Sequence, residues 1–116
     1  SLGRRMAAAQ AKGCLYREQQ FMIGIPAREL GRGDSEELVL IQGIIDAYLE
    51  EEDGLVVIDY KTDRVPEGDP KKGAAMLADR YRVQLDYYEK ALVQLTGKPV
   101  KERIIYSLAL GESIAV

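Results

Sequence analysis

The 116-residue sequence contains no histidine and a single cysteine, Cys14. These two shortages exclude more than the rest of the composition does. Without histidine there is no Ser-His-Asp triad, no Cys-His pair and no histidine-bearing zinc site. One cysteine allows neither an internal disulfide nor a multi-cysteine metal or iron–sulfur site. It reads as a buried thiol in a reducing compartment, which points to the cytoplasm. No apolar run approaches the ~20 residues that a membrane span needs. Arg4 and Arg5 lead into a short alanine-rich stretch, which does not read as a signal peptide. The net charge of −3 argues against a wholesale basic coat for nucleic acid but leaves room for a local basic groove.

What remains for chemistry is carboxylate, lysine, tyrosine or a bound ion. Carboxylates are hard oxygen ligands, so the implied metal is Mg²⁺ or Mn²⁺. The length and the 47% hydrophobic content suit one soluble domain over residues 1–116, with a core that needs no covalent staple.

Along the chain, Leu2 to Lys12 is rich in helix formers and ends at Gly13. Cys14 to Ala27 reads as a strand, with Phe21, Ile23 and Ile25 alternating, and Arg28 to Ser35 as a turn. Glu37 to Glu50 is rich in β-branched residues and predicts a second, largely buried strand. The charged Glu51-Glu52-Asp53-Gly54 tip then turns the chain back into a third strand, Gly54 to Lys61. Thr62 to Gly73 carries two prolines and two glycines and reads as a loop. Ala74 to Thr96 predicts a helix whose apolar stripe is Leu77, Tyr81, Leu85, Tyr88, Leu92 and Leu95, stopped by Gly97 and Pro99. Val100 to Leu110 is a fourth strand and Glu112 to Val116 a short fifth. This order implies an α/β sheet with an antiparallel hairpin and helical cover.

The chemistry concentrates at one end of that hairpin. Side chains alternate along a strand, so Asp59 and Lys61 share a face while Tyr60 points away. Asp46 lies seven residues before the Asp53 tip and Asp59 six after it, so direct pairing brings the two carboxylates together within a register step. Two crowded carboxylates repel unless a cation or proton intervenes. A divalent ion with a lysine beside it suits phosphodiester hydrolysis: the ion activates water and neutralises phosphate charge, and the ammonium orients the nucleophile or stabilises the phosphorane. Set against this, an Asp-x-Lys on a strand is by itself common as a solvated edge.

Gly43-Ile44-Ile45-Asp46, Leu55 to Thr62 (LVVIDYKT) and Gln84-Leu85-Asp86-Tyr87-Tyr88 resemble, in order and spacing, the consecutive motifs of the RecB-like nucleases in the PD-(D/E)XK superfamily. Within it they are most similar to the nuclease domains of AddA-type helicase–nuclease subunits. Arg17-Glu18-Gln19-Gln20-Phe21 is similar to the strand motif that precedes these in that family, so the likeness runs from about Tyr16 to Leu110. The resemblance implies a restriction-endonuclease-like mixed sheet flanked by helices. It implies Asp46, Asp59 and the main-chain carbonyl of Tyr60 as metal ligands, Lys61 as catalytic lysine, and Glu18 as an acidic residue near the metal. Gln84 and Tyr88 would line the site from one helix face, against the competing reading of ordinary helix packing. Tyr81, Leu85 and Leu92 are expected to be core. Arg64, Lys71 and Lys72 in the loop, with Arg80 and Arg82 at the helix start, are candidate DNA phosphate contacts or plain solubilising charge.

The activity so implied is a Mg²⁺- or Mn²⁺-dependent DNA exonuclease of a helicase–nuclease that processes DNA ends in double-strand-break repair and recombination. Its substrate would be a single strand from an unwound end. Its partners would be a second nuclease subunit together with helicase domains of the same polypeptide. ATP would be used only by that motor, since this chain has no Gly-x-x-x-x-Gly-Lys-Ser/Thr loop. RecB-like nucleases usually carry a metal-binding histidine on an upstream helix. The expectation is that it lies in a longer polypeptide, and that the present piece, part of the C-terminal region, cleaves weakly. Two other readings compete. One is a catalytically silent nuclease-fold domain that binds DNA or braces a partner; the retained Asp46, Asp59 and Lys61 speak against it. The other is a stand-alone exonuclease or a relative of CRISPR-associated nucleases, whose usual iron–sulfur cluster one cysteine cannot build.

Overall fold

A computed structural model describes residues 1–31, 33–65 and 68–116. Positions 32, 66 and 67, inside the expected turn and loop, lie outside the described residues. The elements run α1 (Leu2–Ala11), β1 (Leu15–Pro26), a 3₁₀ turn (Ala27–Leu30), β2 (Leu38–Glu51), β3 (Gly54–Lys61), α2 (Pro70–Thr96), β4 (Val100–Ser107) and β5 (Glu112–Ala115). The strands form one sheet in sequence order, β1-β2-β3-β4-β5. All neighbours are antiparallel except β3 and β4, whose parallel pairing requires the long crossover that α2 supplies. The mixed sheet with helical cover is the architecture expected from the sequence.

The register places the site. β2 pairs with β3 from Glu51 opposite Gly54 to Ala47 opposite Ile58, and no further. Beyond that point β3 continues beside β4 alone, with Asp59 opposite Ile105 and Lys61 opposite Ser107. β2 runs on beside β1, out to Leu38 opposite Pro26. The sheet therefore forks where Asp46 and Asp59 face each other. The hairpin closes over Glu52 and Asp53, with Gly54 as the first residue of β3. A Cβ on Gly54 would stand 3.0 Å from the carbonyl oxygen of Pro99, so the close pass of β3 over that carbonyl needs glycine.

Leu55, Val56, Val57 and Ile58 are fully covered. Leu55 and Val57 meet Leu77, Leu85, Leu92 and Ile105 under α2, while Val56 and Ile58 meet Ala9, Leu49 and Ile104 on the α1 side. Burial on both faces explains why this strand reads as a continuous apolar run. Replacing Leu85 with alanine would cost about 2–5 kcal/mol by cavity formation.

Several expectations need correction. α2 begins at Pro70, not Ala74: Asp69 caps it by accepting from the Lys72 N–H at 3.1 Å, and Pro70 fits the first turn, where its missing N–H has no partner to lose. Lys71 and Lys72 thus belong to the helix, and Arg80 and Arg82 sit well inside it rather than at its start. Leu95, expected on the apolar stripe, is 56% exposed, whereas Leu92 one turn earlier is fully buried. β2 is buried only in its second half; Leu38 and Leu40, on the arm beyond β3, are 66% and 67% exposed. β4 stops at Ser107, whose Oγ accepts from the Leu110 N–H in the turn to β5.

Candidate active site

The fork strips one strand of its ladder partner, and a side chain replaces it. The Tyr60 N–H, released from β2, donates to Asp46 Oδ2 at 2.9 Å. Asp46 is thereby fixed beside Asp59. Asp59 is 2% exposed, and its Oδ2 is buried without a hydrogen-bond donor. The Lys61 ammonium is 2.9 Å from that same oxygen, an ion pair off the hydrogen-bonding direction. Burial first, then the neighbouring Asp46 carboxylate, pushes the Asp59 carboxyl up to about 6, with Lys61 pulling the other way. The crowding foreseen from the hairpin count is therefore present at full register.

The ammonium of Lys61 is held on its other sides by α2. It donates to Gln84 Oε1 at 2.9 Å and rests 4.0 Å from the centroid of the Tyr81 ring. Tyr88 is buried. Its hydroxyl is pushed up to about 12 by burial and then by the charges of Asp59 and Asp46. Its ring meets Phe21 edge-on at 5.6 Å. Phe21 reaches it across Gly43, where a Cβ would come within 3.0 Å of the Phe21 ring. Gly43 is thus part of the site's scaffold: without a side chain there, the β1 aromatic can lie on β2 and brace Tyr88.

Other candidates are placed differently. Glu18 stands across from Asp46, since its neighbours Arg17 and Gln19 pair with Ala47 and Ile45, but its side chain is exposed. It holds a φ of 52°, the only positive value on a non-glycine among the described residues. The Tyr60 side chain points to the opposite face, meeting Tyr106 at 6.3 Å and Met6. Arg64, Lys71 and Lys72 are exposed. Arg80 and Arg82 are exposed as well but are engaged by Asp63 and Asp79, each at 2.7 Å, so a phosphate would have to compete with those pairs.

Two residues beside the site, Tyr81 and Asp63, do not stand out in the sequence. Tyr81, expected in the core, is only half-buried; its ring lies beneath Lys61 and its hydroxyl donates to Asp63 at 2.7–2.9 Å. The available signal was spacing: Tyr81 lies three residues before Gln84 and seven before Tyr88, on one helix stripe.

As a donor set, two adjacent carboxylates, one with a buried oxygen that accepts no hydrogen bond, match a hard divalent cation. Among the described residues no group of three carboxylate, histidine or cysteine side chains could hold a metal, so further ligands would be main-chain carbonyl, water or substrate oxygen.

The sequence profile of the PD-(D/E)XK nuclease superfamily matches residues 3–113. Proteins named as A-type (AddA) subunits of ATP-dependent helicase/nucleases are similar to this chain. That of Lachnoclostridium phytofermentans is 42% identical over 149 aligned positions, covering 99% of this chain and 10% of the relative. That of Desulforudis audaxviator is 45% identical, covering 97% and 9%, and that of Thermoanaerobacter sp. strain X514 is 46% identical, covering 91% and 8%. The chain thus spans about a tenth of the length of these relatives. A match over nearly the whole chain, together with relatives above 40% identity, establishes that the chain belongs to the PD-(D/E)XK nuclease superfamily.

Proposed function

We propose that this chain is a divalent-metal-dependent phosphodiesterase that cuts DNA, with Asp46 and Asp59 as the metal-holding carboxylates and Lys61 as the catalytic lysine. The observation that carries this reading is the Asp59 carboxylate, buried beside a second carboxylate, with an Oδ2 that no hydrogen-bond donor satisfies and that only the Lys61 ammonium offsets. One ammonium offsets only one of two crowded carboxylates, which leaves a divalent cation to complete the pair. The main-chain carbonyl of Tyr60 would contribute a further oxygen ligand. Bound there, Mg²⁺ or Mn²⁺ would supply Lewis-acid activation of water and charge neutralisation at the phosphate.

The chain's own residues set the rest. Asp46, anchored by the Tyr60 N–H, and Asp59, walled by α2, offer fixed oxygen atoms that need no reorganisation. Lys61 projects from the same face as Asp59, so its ammonium can orient a nucleophile or donate to a phosphate oxygen beside the ion. Gln84 holds that ammonium, and Tyr88 closes the apolar wall that keeps bulk water from the carboxylates. Glu18, on the strand facing Asp46, would act from the solvent side of the site. Arg64, Lys71 and Lys72 are the basic groups suited to DNA phosphate.

The similar proteins are named as helicase/nuclease subunits, which supports placing this activity in a longer polypeptide with an ATP-driven motor and a partner chain, acting on unwound DNA ends. The test is Mn²⁺ titration by calorimetry on this chain and on Asp59→Ala, followed by cleavage of single-stranded DNA with Mg²⁺ or Mn²⁺. Binding that disappears in the variant, with cleavage lost in Lys61→Ala, supports the reading. Absence of both binding and cleavage in the unaltered chain would favour a silent nuclease fold that binds DNA or braces a partner.

A further inference from the structure

Lys61 ends a strand and has a long, flexible side chain, yet its ammonium is fixed from three directions. Asp59 Oδ2 and Gln84 Oε1 lie 2.9 Å away on two sides, and the Tyr81 ring forms a floor at 4.0 Å. The ring is itself fixed. The Tyr81 hydroxyl bonds both oxygens of the Asp63 carboxylate, at 2.7 and 2.9 Å, and Arg80 Nη1 closes on Asp63 Oδ2 at 2.7 Å. Asp63 stands two residues beyond Lys61, so the strand end and the helix are tied on both sides of the lysine. An ammonium over an aromatic face is attracted by the ring's negative potential but not bound to one oxygen, which leaves its remaining N–H donors directed elsewhere.

We propose that Tyr81 is a positioning residue for Lys61, with Asp63 locking the phenol and Arg80 holding Asp63. This inference rests on the reading of Lys61 as the catalytic lysine. The ring keeps the ammonium from swinging out along the exposed strand end, so that it stays poised over the Asp46–Asp59 pair. A flexible lysine aimed at a reacting phosphate loses most of its effect when displaced by about an ångström. Tyr81, Gln84 and Tyr88 then form one stripe of α2 whose first two members set the lysine and whose third walls the carboxylates.

The deciding measurement is the NMR signal of the Lys61 ε-methylene protons in this chain. The ring should shift them upfield of the exposed lysines. That shift should vanish in Tyr81→Leu and persist in part in Tyr81→Phe, which keeps the ring but loses its bond to Asp63. It should shrink in Asp63→Ala, which frees the phenol. With single-stranded DNA and Mn²⁺, Tyr81→Leu should lower kcat roughly tenfold or more with KM nearly unchanged, and Tyr81→Phe and Asp63→Ala should both fall between it and the unaltered chain. Mn²⁺ affinity should stay within about threefold in all three variants, since none removes a carboxylate of the ion's pair. Lys61 resonating with the exposed lysines, or no change in its signal in Tyr81→Leu, would overturn the proposal. So would a Tyr81→Leu enzyme as fast as the unaltered one, or one that no longer binds Mn²⁺. A chain that shows the ring shift but never cleaves DNA would sink the nuclease reading instead, leaving the placement of Lys61 by Tyr81 intact.

Discussion

Asp46 and Tyr60 are joined by a side-chain-to-main-chain bond of 2.9 Å at the point where β2 and β3 part. The carboxylate takes the place of a strand partner while remaining beside Asp59. The structural role and the proposed metal-holding role thus coincide in one side chain, and two substitutions separate them. Asp46→Asn keeps an acceptor for the Tyr60 N–H and removes the charge that opposes Asp59, so its stability should stay within about 0.5 kcal/mol of the parent. Asp46→Ala leaves that N–H without its acceptor and should cost about 1–2 kcal/mol. Both should abolish Mn²⁺ binding. Thermal unfolding with and without Mn²⁺ checks this: an ion at a hundred times its Kd stabilises by about 2.7 kcal/mol, and only the parent should show it. An alanine variant as stable as the asparagine one would show that the bond contributes nothing to folding.

The pH dependence of the metal-free protein follows from Asp59. Its carboxyl is raised to about 6 in the folded chain from an ordinary value of 3.8, because burial and Asp46 disfavour its charge. A raised acid binds its proton more tightly when folded. Its contribution is therefore fully present below pH ~4 and lost as pH rises through about 6. A shift of roughly two units corresponds to about 3 kcal/mol at most. Asp59→Asn, which carries no charge to bury, should match the parent at pH 4 and exceed its metal-free stability by about 1–3 kcal/mol at pH 8. Denaturant melts in chelator at the two pH values measure it. Saturating Mn²⁺ should narrow or reverse the gap at pH 8, because only the parent gains from the ion.

The hairpin and its two aspartates were legible because they rest on short-range rules: alternation along a strand and a tight turn whose residue count fixes the register. The continuous apolar run of Leu55 to Ile58 likewise announces a strand buried on both faces, and it is. What the sequence hid depends on contacts between elements. Tyr81 fits an apolar helix stripe, so periodicity assigns it to the core; only the packing of α2 across the end of β3 puts its ring under Lys61. Pro70 reads as a loop residue until Asp69 is seen capping the helix that begins there. Leu38 and Leu40 look like core strand residues, but their strand extends beyond its second neighbour, which no local pattern reports.

Away from the site, Glu51 at the hairpin tip is gripped by Arg5 of α1 and by Lys101 of β4, each at 2.8 Å. Arg5 chiefly, then Lys101, holds its carboxyl down at about 2, well below its ordinary 4.5. A depressed acid stabilises the fold above its unfolded value and loses that contribution as pH falls through its folded one. The group is partly exposed, so after solvent screening the gain is about 1 kcal/mol. Glu51→Gln should be about 1 kcal/mol less stable than the parent at pH 7 and indistinguishable from it near pH 2. Salt should shrink the pH 7 difference, which urea melts at low and high ionic strength will report. A difference that survives at pH 2 would mean that packing, not charge, ties α1 to the tip.

Glu18 holds a backbone conformation that L-residues avoid, with φ at 52°, in the stretch of β1 that passes Asp46. Glycine adopts that region freely, whereas a side chain there costs about 1 kcal/mol. Nothing in the fold requires a glutamate: the side chain is exposed and makes no hydrogen bond among the described residues. Glu18→Gly should therefore leave the protein as stable or stabilise it by about 0.5–1 kcal/mol, the relief outweighing the extra freedom of the unfolded chain. Strain kept beside a reactive site has a purpose when the side chain acts there. If Glu18 serves the metal-bearing pair from the solvent side, Glu18→Gly should weaken Mn²⁺ binding or DNA cleavage despite its greater stability, and Glu18→Gln should weaken them to a similar degree without the gain in stability. Equal activity in all three proteins would remove Glu18 from the site and leave its conformation a feature of the β1 backbone alone.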